Sequence, residues 1–195
     1  PPSALVGASF TEGIGIKNIV HARDYGYPLC GTGTSQAEDN CDDNTGATNP
    51  WDPGTFKNDE IVVCERGTYG RVEKSKNLQL AGAGGYVLAN TDNPELQNLD
   101  PDYHCLPATH ISYEDGEKLS TWLDSGLGHQ ASLSGYDVYH IPEAGDIIAE
   151  KSSRGPNLPP VENLLKPDVI APGTDINGAY DGEPLDFAPL SGTSM

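Results

Sequence analysis

The chain has 195 residues, with 29 Asp and Glu against 11 Lys and Arg, so its formal net charge is −18 at pH 7. A charge this negative argues against nucleic acid or an anionic membrane as a partner. No apolar run approaches the roughly 18 residues that a membrane-spanning helix requires. The length accommodates one domain with a good core, or one domain plus a piece of a second.

The first 57 residues predict little regular structure. Residues 3–19 alternate apolar and polar side chains among many glycines, which indicates short strands and turns. Residues 22–57 are dense in Gly, Asn, Asp, Thr and Pro and predict a long irregular connection. Its acidic cluster, 38–44, carries the oxygen ligands that calcium prefers but lacks EF-hand spacing, so a solvated loop is the favoured interpretation.

A strand–helix–strand pattern follows. The run 61–64 is β-branched and predicts a buried strand, 69–81 predicts a helix, and 86–90 predicts a second strand. The glycines of 82–85 end the helix, and the pattern favours parallel strands with a crossover. On the helix, one stripe is expected to be buried, formed by Val72, Ser75, Leu78 and Ala81. Three basic side chains are expected to lie mostly outside it: Arg71, Lys74 and Lys76.

A second helix is predicted after an acidic loop at 91–106. A third strand covers 107–112, and the helix runs from Ser112 to Leu123. Ser112 is the predicted N-cap, with Asp115 three residues on, and Gly126 is the predicted C-terminal stop. Residues 130–139 alternate again and predict a strand.

Residues 61–126 resemble a protease-associated (PA) domain. The resemblance lies in Val62–Gly67, in Lys74-Ser75-Lys76 on a helix, in Ala81–Asn90 and in Pro107–Ile111. It implies an α+β fold for residues 1–135, a PA-like open β-barrel or sandwich flanked by short helices. Nucleotide binding is disfavoured, because the Gly-Ala-Gly-Gly segment follows a helix and precedes a strand, the reverse of a dinucleotide fingerprint.

Three segments near the end of the chain resemble those of the subtilisin-like serine peptidases (subtilases). They are 151–157 (KSSRGPN), 165–173 (LKPDVIAPG) and 191–195 (SGTSM), in the order and at about the spacing found in that family. The resemblance implies that 136–195 is the C-terminal segment of an α/β peptidase domain, up to the catalytic serine. PA domains are inserted in subtilases between the catalytic His and Ser, so each resemblance predicts the position of the other.

The resemblance makes Ser194 the nucleophile that is acylated during peptide-bond hydrolysis, with its backbone N–H as one oxyanion donor. Gly192 lets the chain pass the sharp turn before it. By the same resemblance, Gly192, Thr193, Ser153 and Gly155 lie at the oxyanion hole or substrate cleft.

Neither the catalytic aspartate nor the histidine base of a subtilase triad is apparent. Subtilase triads run Asp, His, Ser along the chain, and the His lies in a His-Gly-Thr stretch. No histidine here is followed by Gly-Thr, and all are interpreted as surface or strand histidines: His21, His104, His110, His129 and His140. The chain is therefore expected to be an inactive fragment of a secreted endopeptidase that cleaves peptide or protein substrates. No metal or cofactor is expected in it, although calcium could bind the full enzyme and the PA domain could mediate a homodimer.

Four cysteines, Cys30, Cys41, Cys64 and Cys105, allow three pairings. Their even count, the acidic composition and the resemblance to secreted peptidases favour disulfides over free thiols. The preferred pairing is Cys30–Cys41, closing a small polar loop, with Cys64–Cys105 bridging a strand to a distant loop.

Two other functions fit part of the sequence. One is a non-catalytic PA-type module for protein interaction or substrate access, in which the acidic loops 37–44 and 91–102 would be binding surfaces. The other is a small extracellular domain that binds calcium or sugar, which would leave the three C-terminal segments unexplained.

Overall fold

A computed structural model describes residues 4–35, 41, 47–57, 60–93, 96–137, 147–149, 152–153, 155–179 and 187–194. The chain forms two compact units, Pro1–Asp137 and Val138–Met195. Within the described ranges, no helix is long and apolar enough to cross a membrane.

The first unit is built on a five-stranded mixed sheet. Its strands are β1 (Ile14–His21), β2 (Glu60–Glu65), β3 (Gly85–Ala89), β4 (Ala108–Ile111) and β5 (Gln130–Leu133), in the spatial order β4-β3-β2-β1-β5. Strands β1 to β4 are parallel, and β5 is antiparallel to β1. Helix α1 (Arg71–Ala81) connects β2 to β3, and α2 (Tyr113–Asp124) connects β4 to β5. The predicted α+β class and the parallel crossover are confirmed, whereas β5 ends earlier than predicted.

Alternation along β2 sends side chains to two separate cores. Val62 and Cys64 belong to one cluster, with Leu78 of α1. Ile61 and Val63 belong to the other, with Leu119 of α2. Because successive strand residues point to opposite faces, a continuous apolar run is required when helices or loops cover both faces of a sheet. Residues 60–64 of the central strand are therefore buried, as the β-branched sequence predicts.

Helix α1 is buried on more sides than its sequence predicts. The predicted apolar stripe is buried, but Lys74 and Lys76 are also only 0% and 6% exposed. The Lys74 ammonium donates to the carbonyl of Leu29, and the Lys76 ammonium donates to the carbonyl of Cys41. The expectation that these two lysines lie outside the buried face is wrong, because Leu29 and Cys41 of the polar connection lie on that side of the helix and supply carbonyl acceptors.

The helix ends follow the capping rules in part. The Ser112 hydroxyl accepts from the backbone N–H of Asp115 at 3.2 Å, which confirms the predicted N-cap of α2. Gly82, with φ of 92°, closes α1 in the left-handed conformation, as predicted. Helix α2 instead ends on Ser125, which keeps right-handed helical geometry, so Gly126 is not its cap.

The disulfide pairing differs from the prediction. The bonds are Cys30–Cys64 and Cys41–Cys105, so the predicted pairs Cys30–Cys41 and Cys64–Cys105 are wrong. The cause is topological: β1 and β2 are parallel neighbours, and the loop after β1 crosses the end of β2. There the N–H of Glu65 donates to the carbonyl of Pro28 at 2.9 Å, so Cys64 meets Cys30.

The described part of the second unit contains one antiparallel hairpin, formed by β6 (Ile176–Ala179) and β7 (Phe187–Leu190). Its register pairs Ile176 with Leu190 and Ala179 with Phe187. The α/β arrangement expected for residues 136–195 stays a prediction.

Candidate functional site

The β6–β7 hairpin brings two of the three C-terminal segments together. Segment 165–173 ends just before β6, and segment 191–195 begins directly after β7. Because Ile176 pairs with Leu190, the residues just outside the hairpin are forced to meet. The N–H of Gly192 donates to the carbonyl of Gly173 at 2.8 Å, which continues the pairing beyond the strands.

A side-chain pair reinforces this junction. The Ser191 hydroxyl accepts from the backbone N–H of Asp175 at 2.7 Å and donates to the Asp175 carboxylate at 3.0 Å. A hydroxyl can fill both roles because it carries one donor and two acceptor lone pairs. Ser191 is thereby held to one residue by two bonds, three positions before Ser194.

The packing around Gly173 leaves no room for a side chain. A Cβ at this position would lie 2.8 Å from the carbonyl oxygen of Gly192, which is closer than a carbon side chain tolerates. The close approach of the two segments therefore depends on the absence of a side chain there.

The three segments border one pocket of about 240 Å³ in the second unit. Ser152 contributes from the first segment, Gly173 from the second, and Gly192 and Thr193 from the third. The remaining lining residues are mostly apolar: Ile147, Ile148, Ala149, Ile170, Ala171, Pro172 and Thr174. Of the four residues predicted at the cleft, Gly192 and Thr193 therefore share a pocket.

The other two predicted cleft residues, Ser153 and Gly155, are not among the residues that line this pocket. Ser153 is exposed and is not among the pocket residues, whereas its neighbour Ser152 is. Gly155 has φ of 71°, and a Cβ there would lie 4.0 Å from the carbonyl oxygen of Lys166. There is therefore room for a Cβ at Gly155, and the reason for glycine there is its positive φ.

Ser194 is exposed at the end of the described chain, directly after pocket residue Thr193. The first requirement of a nucleophile is access to the substrate carbonyl. The second requirement is a general base within hydrogen-bond reach.

The described histidines are held by contacts within the first unit. His21 lies in β1 and His110 in β4, which confirms the interpretation of these two as strand histidines, and both are buried, at 2% and 0% exposed. Burial, as the main cause, lowers the pKa of His21, His104 and His110 from 6.5 to about 4 in each case. His129 packs on the ring of Trp122, and His140 lies outside the described residues.

A buried polar network occupies the carboxyl ends of the parallel strands. Arg66 follows β2 and Asn90 follows β3, and the guanidinium donates to the Asn90 side-chain oxygen at 3.1 Å. His110 of β4 contacts the same oxygen through Nε2 at 2.8 Å, while its Nδ1 accepts from the N–H of Asp100 at 2.9 Å. The network therefore ties the β3–β4 loop to three adjacent strands.

Two aspartates of that loop complete the network. The Asp100 carboxylate lies 3.0 Å from Arg66 and 3.2 Å from Arg71, and Arg71 also forms a two-point contact with Asp102. Two of the four acidic residues of 91–102, the loop that the alternative PA-type module would use as a binding surface, are thus paired with arginines. The other acidic loop, 37–44, lies outside the described residues except for Cys41.

Comparison with known proteins matches the first unit to a domain family and the chain to a group of relatives. Residues 25–119 match the PA domain family. The chain is 38% identical to subtilisin-like protease SBT1.4 of Arabidopsis thaliana over 149 residues, covering 70% of the chain and 19% of that protein. The chain contains a PA domain and is homologous to subtilisin-like proteases. Subtilisin-like protease SBT5.4 of the same plant is 36% identical over 155 residues, with 74% and 20% covered.

A third subtilisin-like protease extends the similarity beyond the PA domain. SBT1.2 of Arabidopsis thaliana is 33% identical over 208 residues, covering 98% of the chain and 25% of that protein. The chain thus spans about a fifth to a quarter of the length of these relatives.

Sequence reasoning missed several residues around the PA domain network and the pocket. Arg66 and Asn90 each follow a buried strand directly, and that position was an available signal for a shared edge. Ser191 and Asp175 gave no such signal, because their contact depends on the hairpin register.

Proposed function

We propose that this chain is the PA domain and adjoining catalytic-serine segment of a secreted subtilisin-like serine endopeptidase, in which Ser194 is acylated. The observation that carries the proposal is the convergence of all three subtilase-like segments on one pocket, with Ser194 directly after it. These segments are separated along the sequence, so unrelated turns would have no physical reason to meet.

In the proposed reaction, the Ser194 hydroxyl attacks the carbonyl carbon of the scissile peptide bond while a histidine elsewhere in the whole protein accepts its proton. The carbonyl oxygen becomes an oxyanion, for which the Ser194 backbone N–H is one donor. Collapse expels the amine, which takes the proton from the histidine, and leaves an ester on Ser194. Water then hydrolyses the ester by the same proton transfers in reverse order.

A secreted location fits the covalent structure. Both cysteine pairs are oxidised, and no free cysteine remains among them. Structural disulfides persist in oxidising compartments and are rare where thiols are kept reduced. Peptide or protein substrates follow from the proposed peptidase activity, and the apolar lining of the pocket is suited to an apolar substrate side chain.

A fluorophosphonate probe, which phosphonylates activated serines, tests the proposal. The full-length protein is expected to be labelled at Ser194, and the Ser194→Ala variant is expected to lose both labelling and peptide hydrolysis. The 195-residue chain by itself is expected to remain unlabelled, because none of its histidines lies in the His-Gly-Thr stretch that holds the base in subtilases. Ser132→Ala, at an exposed position of β5, is the matched control and should label normally. Full hydrolysis by Ser194→Ala would overturn the assignment.

A further inference from the structure

We propose that Ser191 and Asp175 are positioning residues that set the orientation of the nucleophile Ser194, an inference that rests on the proposed function. Neither side chain is expected to touch substrate. Their role is to hold the backbone from which Ser194 projects, so that its hydroxyl stays aligned with the reacting carbonyl.

The geometry of the junction supports this role. Ser191 is bonded to the Asp175 N–H at 2.7 Å and to the Asp175 carboxylate at 3.0 Å. The next residue, Gly192, is bonded through its N–H to the carbonyl of Gly173 at 2.8 Å. Ser191 and Gly192 are therefore both hydrogen-bonded to the segment just before β6, and only Thr193 separates them from Ser194.

The backbone of Asp175 adds a second constraint. Its φ of 52° lies in the left-handed region, where Asp and Asn are accepted more readily than other side chains with a Cβ. In this conformation its N–H and its carboxylate both face the Ser191 hydroxyl. Asp175 thus offers both a donor and an acceptor to the Ser191 hydroxyl. A residue with an apolar side chain would keep the backbone donor and lose the carboxylate acceptor.

Loss of the hydrogen bonds between Ser191 and Asp175 should reduce kcat and leave substrate affinity nearly unchanged. A misplacement of about 1 Å at a reacting group costs on the order of 100-fold in rate. The pocket lining does not include either residue. We therefore expect Ser191→Ala to lower kcat per active site by about 10- to 100-fold, with KM changed less than about twofold.

The test uses the full-length protein with peptide substrate and titration of active sites. The variants are Ser191→Ala, which removes both hydrogen bonds, and Ser191→Thr, which keeps the hydroxyl. Asp175→Asn keeps the acceptor oxygen and the left-handed preference and is the conservative partner. We expect Ser191→Thr and Asp175→Asn to retain most of the kcat that Ser191→Ala loses.

The outcomes are distinguishable. A purely structural role would lower the number of titratable sites while kcat per site stays at the wild-type value, and that result would overturn the inference. Equal losses in Ser191→Ala and Ser191→Thr would also overturn it. Full activity of Ser194→Ala would instead overturn the proposed function itself, whatever the Ser191 variants show.

Discussion

The guanidinium of Arg66 lies 3.0 Å from the carboxylate of Asp100, and the two side chains are only 7% and 15% exposed. This pair ties the loop after β3 to the end of β2, and Arg66 also donates to the carbonyl of Asn98 at 2.6 Å. Burial leaves little water to replace any of these partners.

Arg66→Met should therefore destabilise the PA domain strongly. Removing one member of a buried ion pair leaves an uncompensated charge and typically costs about 3–5 kcal/mol. Arg71 also contacts Asp100, at 3.2 Å, and would still compensate part of its charge. The loss of unfolding free energy is therefore expected near the lower end of this range. Both tryptophans, Trp51 and Trp122, lie in the first unit, so tryptophan fluorescence in urea reports its unfolding.

The matched control is Arg23→Met. Arg23 pairs with Asp124, but these side chains are 35% and 63% exposed. An exposed pair contributes about 0–1 kcal/mol, so this variant should unfold near the wild-type urea concentration. Equal losses for the two arginine variants would contradict the buried-pair argument.

The two disulfides should differ in their access to reductant. Cys30 and Cys64 are both 0% exposed, whereas Cys41 and Cys105 are partly exposed. Mild reduction of the folded chain followed by alkylation should therefore modify Cys41 and Cys105 first. Peptide mapping by mass spectrometry measures the order.

The reduction experiment contains its own control. In denaturant the exposure difference disappears, so both bonds should then be reduced at similar rates. The map of the unreduced chain should contain peptides linked as Cys30–Cys64 and Cys41–Cys105. A peptide joining Cys30 to Cys41 would contradict the structure and restore the pairing predicted from the sequence.

The PA domain elements were predictable because their sequence signals are local. The β-branched run of β2, the glycines after α1 and the Ser112 cap each act within a few residues. The disulfide pairing and the burial of Lys74 were not predictable in this way. Both depend on where a polar loop of more than about 30 residues crosses the sheet, and such loops carry no periodicity.

The residues of the candidate site likewise include some that the sequence predicted and some that it did not. Gly192, Thr193 and Ser194 were predicted from the resemblance of one short segment to the subtilases, and the structure places Gly192 and Thr193 at the pocket. Ser191 and Asp175 lie 16 positions apart, and their contact follows from the pairing of Ile176 with Leu190. Strand register depends on long-range pairing, so single-sequence reasoning could not predict it.

Acid should destabilise the PA domain through its buried histidines. Burial, aided by Arg23 for His21 and by Arg66 for His110, lowers each pKa from 6.5 to about 4. Between those values the unfolded chain binds more protons than the folded chain. Stability is therefore fully present above pH 6.5 and falls toward pH 4, by up to about 1.4 kcal/mol per pH unit for each histidine.

His21→Asn separates this titration from the other acid effects. The His21 ring accepts from the N–H of Arg23, and an Asn side chain can make the same capping bond without titrating. The variant should lose less stability than wild type between pH 6.5 and pH 4, as measured by urea unfolding at several pH values. Identical slopes in the two proteins would show that His21 does not contribute to the acid response.

Two glycine substitutions should distinguish backbone strain from steric clash. Gly82 and Gly128 have φ of 92° and 75°, so alanine at either position costs about 1–2 kcal/mol of left-handed strain. A Cβ at Gly82 would also lie 2.8 Å from the carbonyl oxygen of Phe56, whereas nothing lies within 4 Å of one at Gly128. Gly82→Ala should therefore lose about 1–3 kcal/mol more than Gly128→Ala in urea unfolding. Equal losses of unfolding free energy would mean that the loop at Phe56 moves aside without cost. That result would contradict the close packing of this loop against the end of α1.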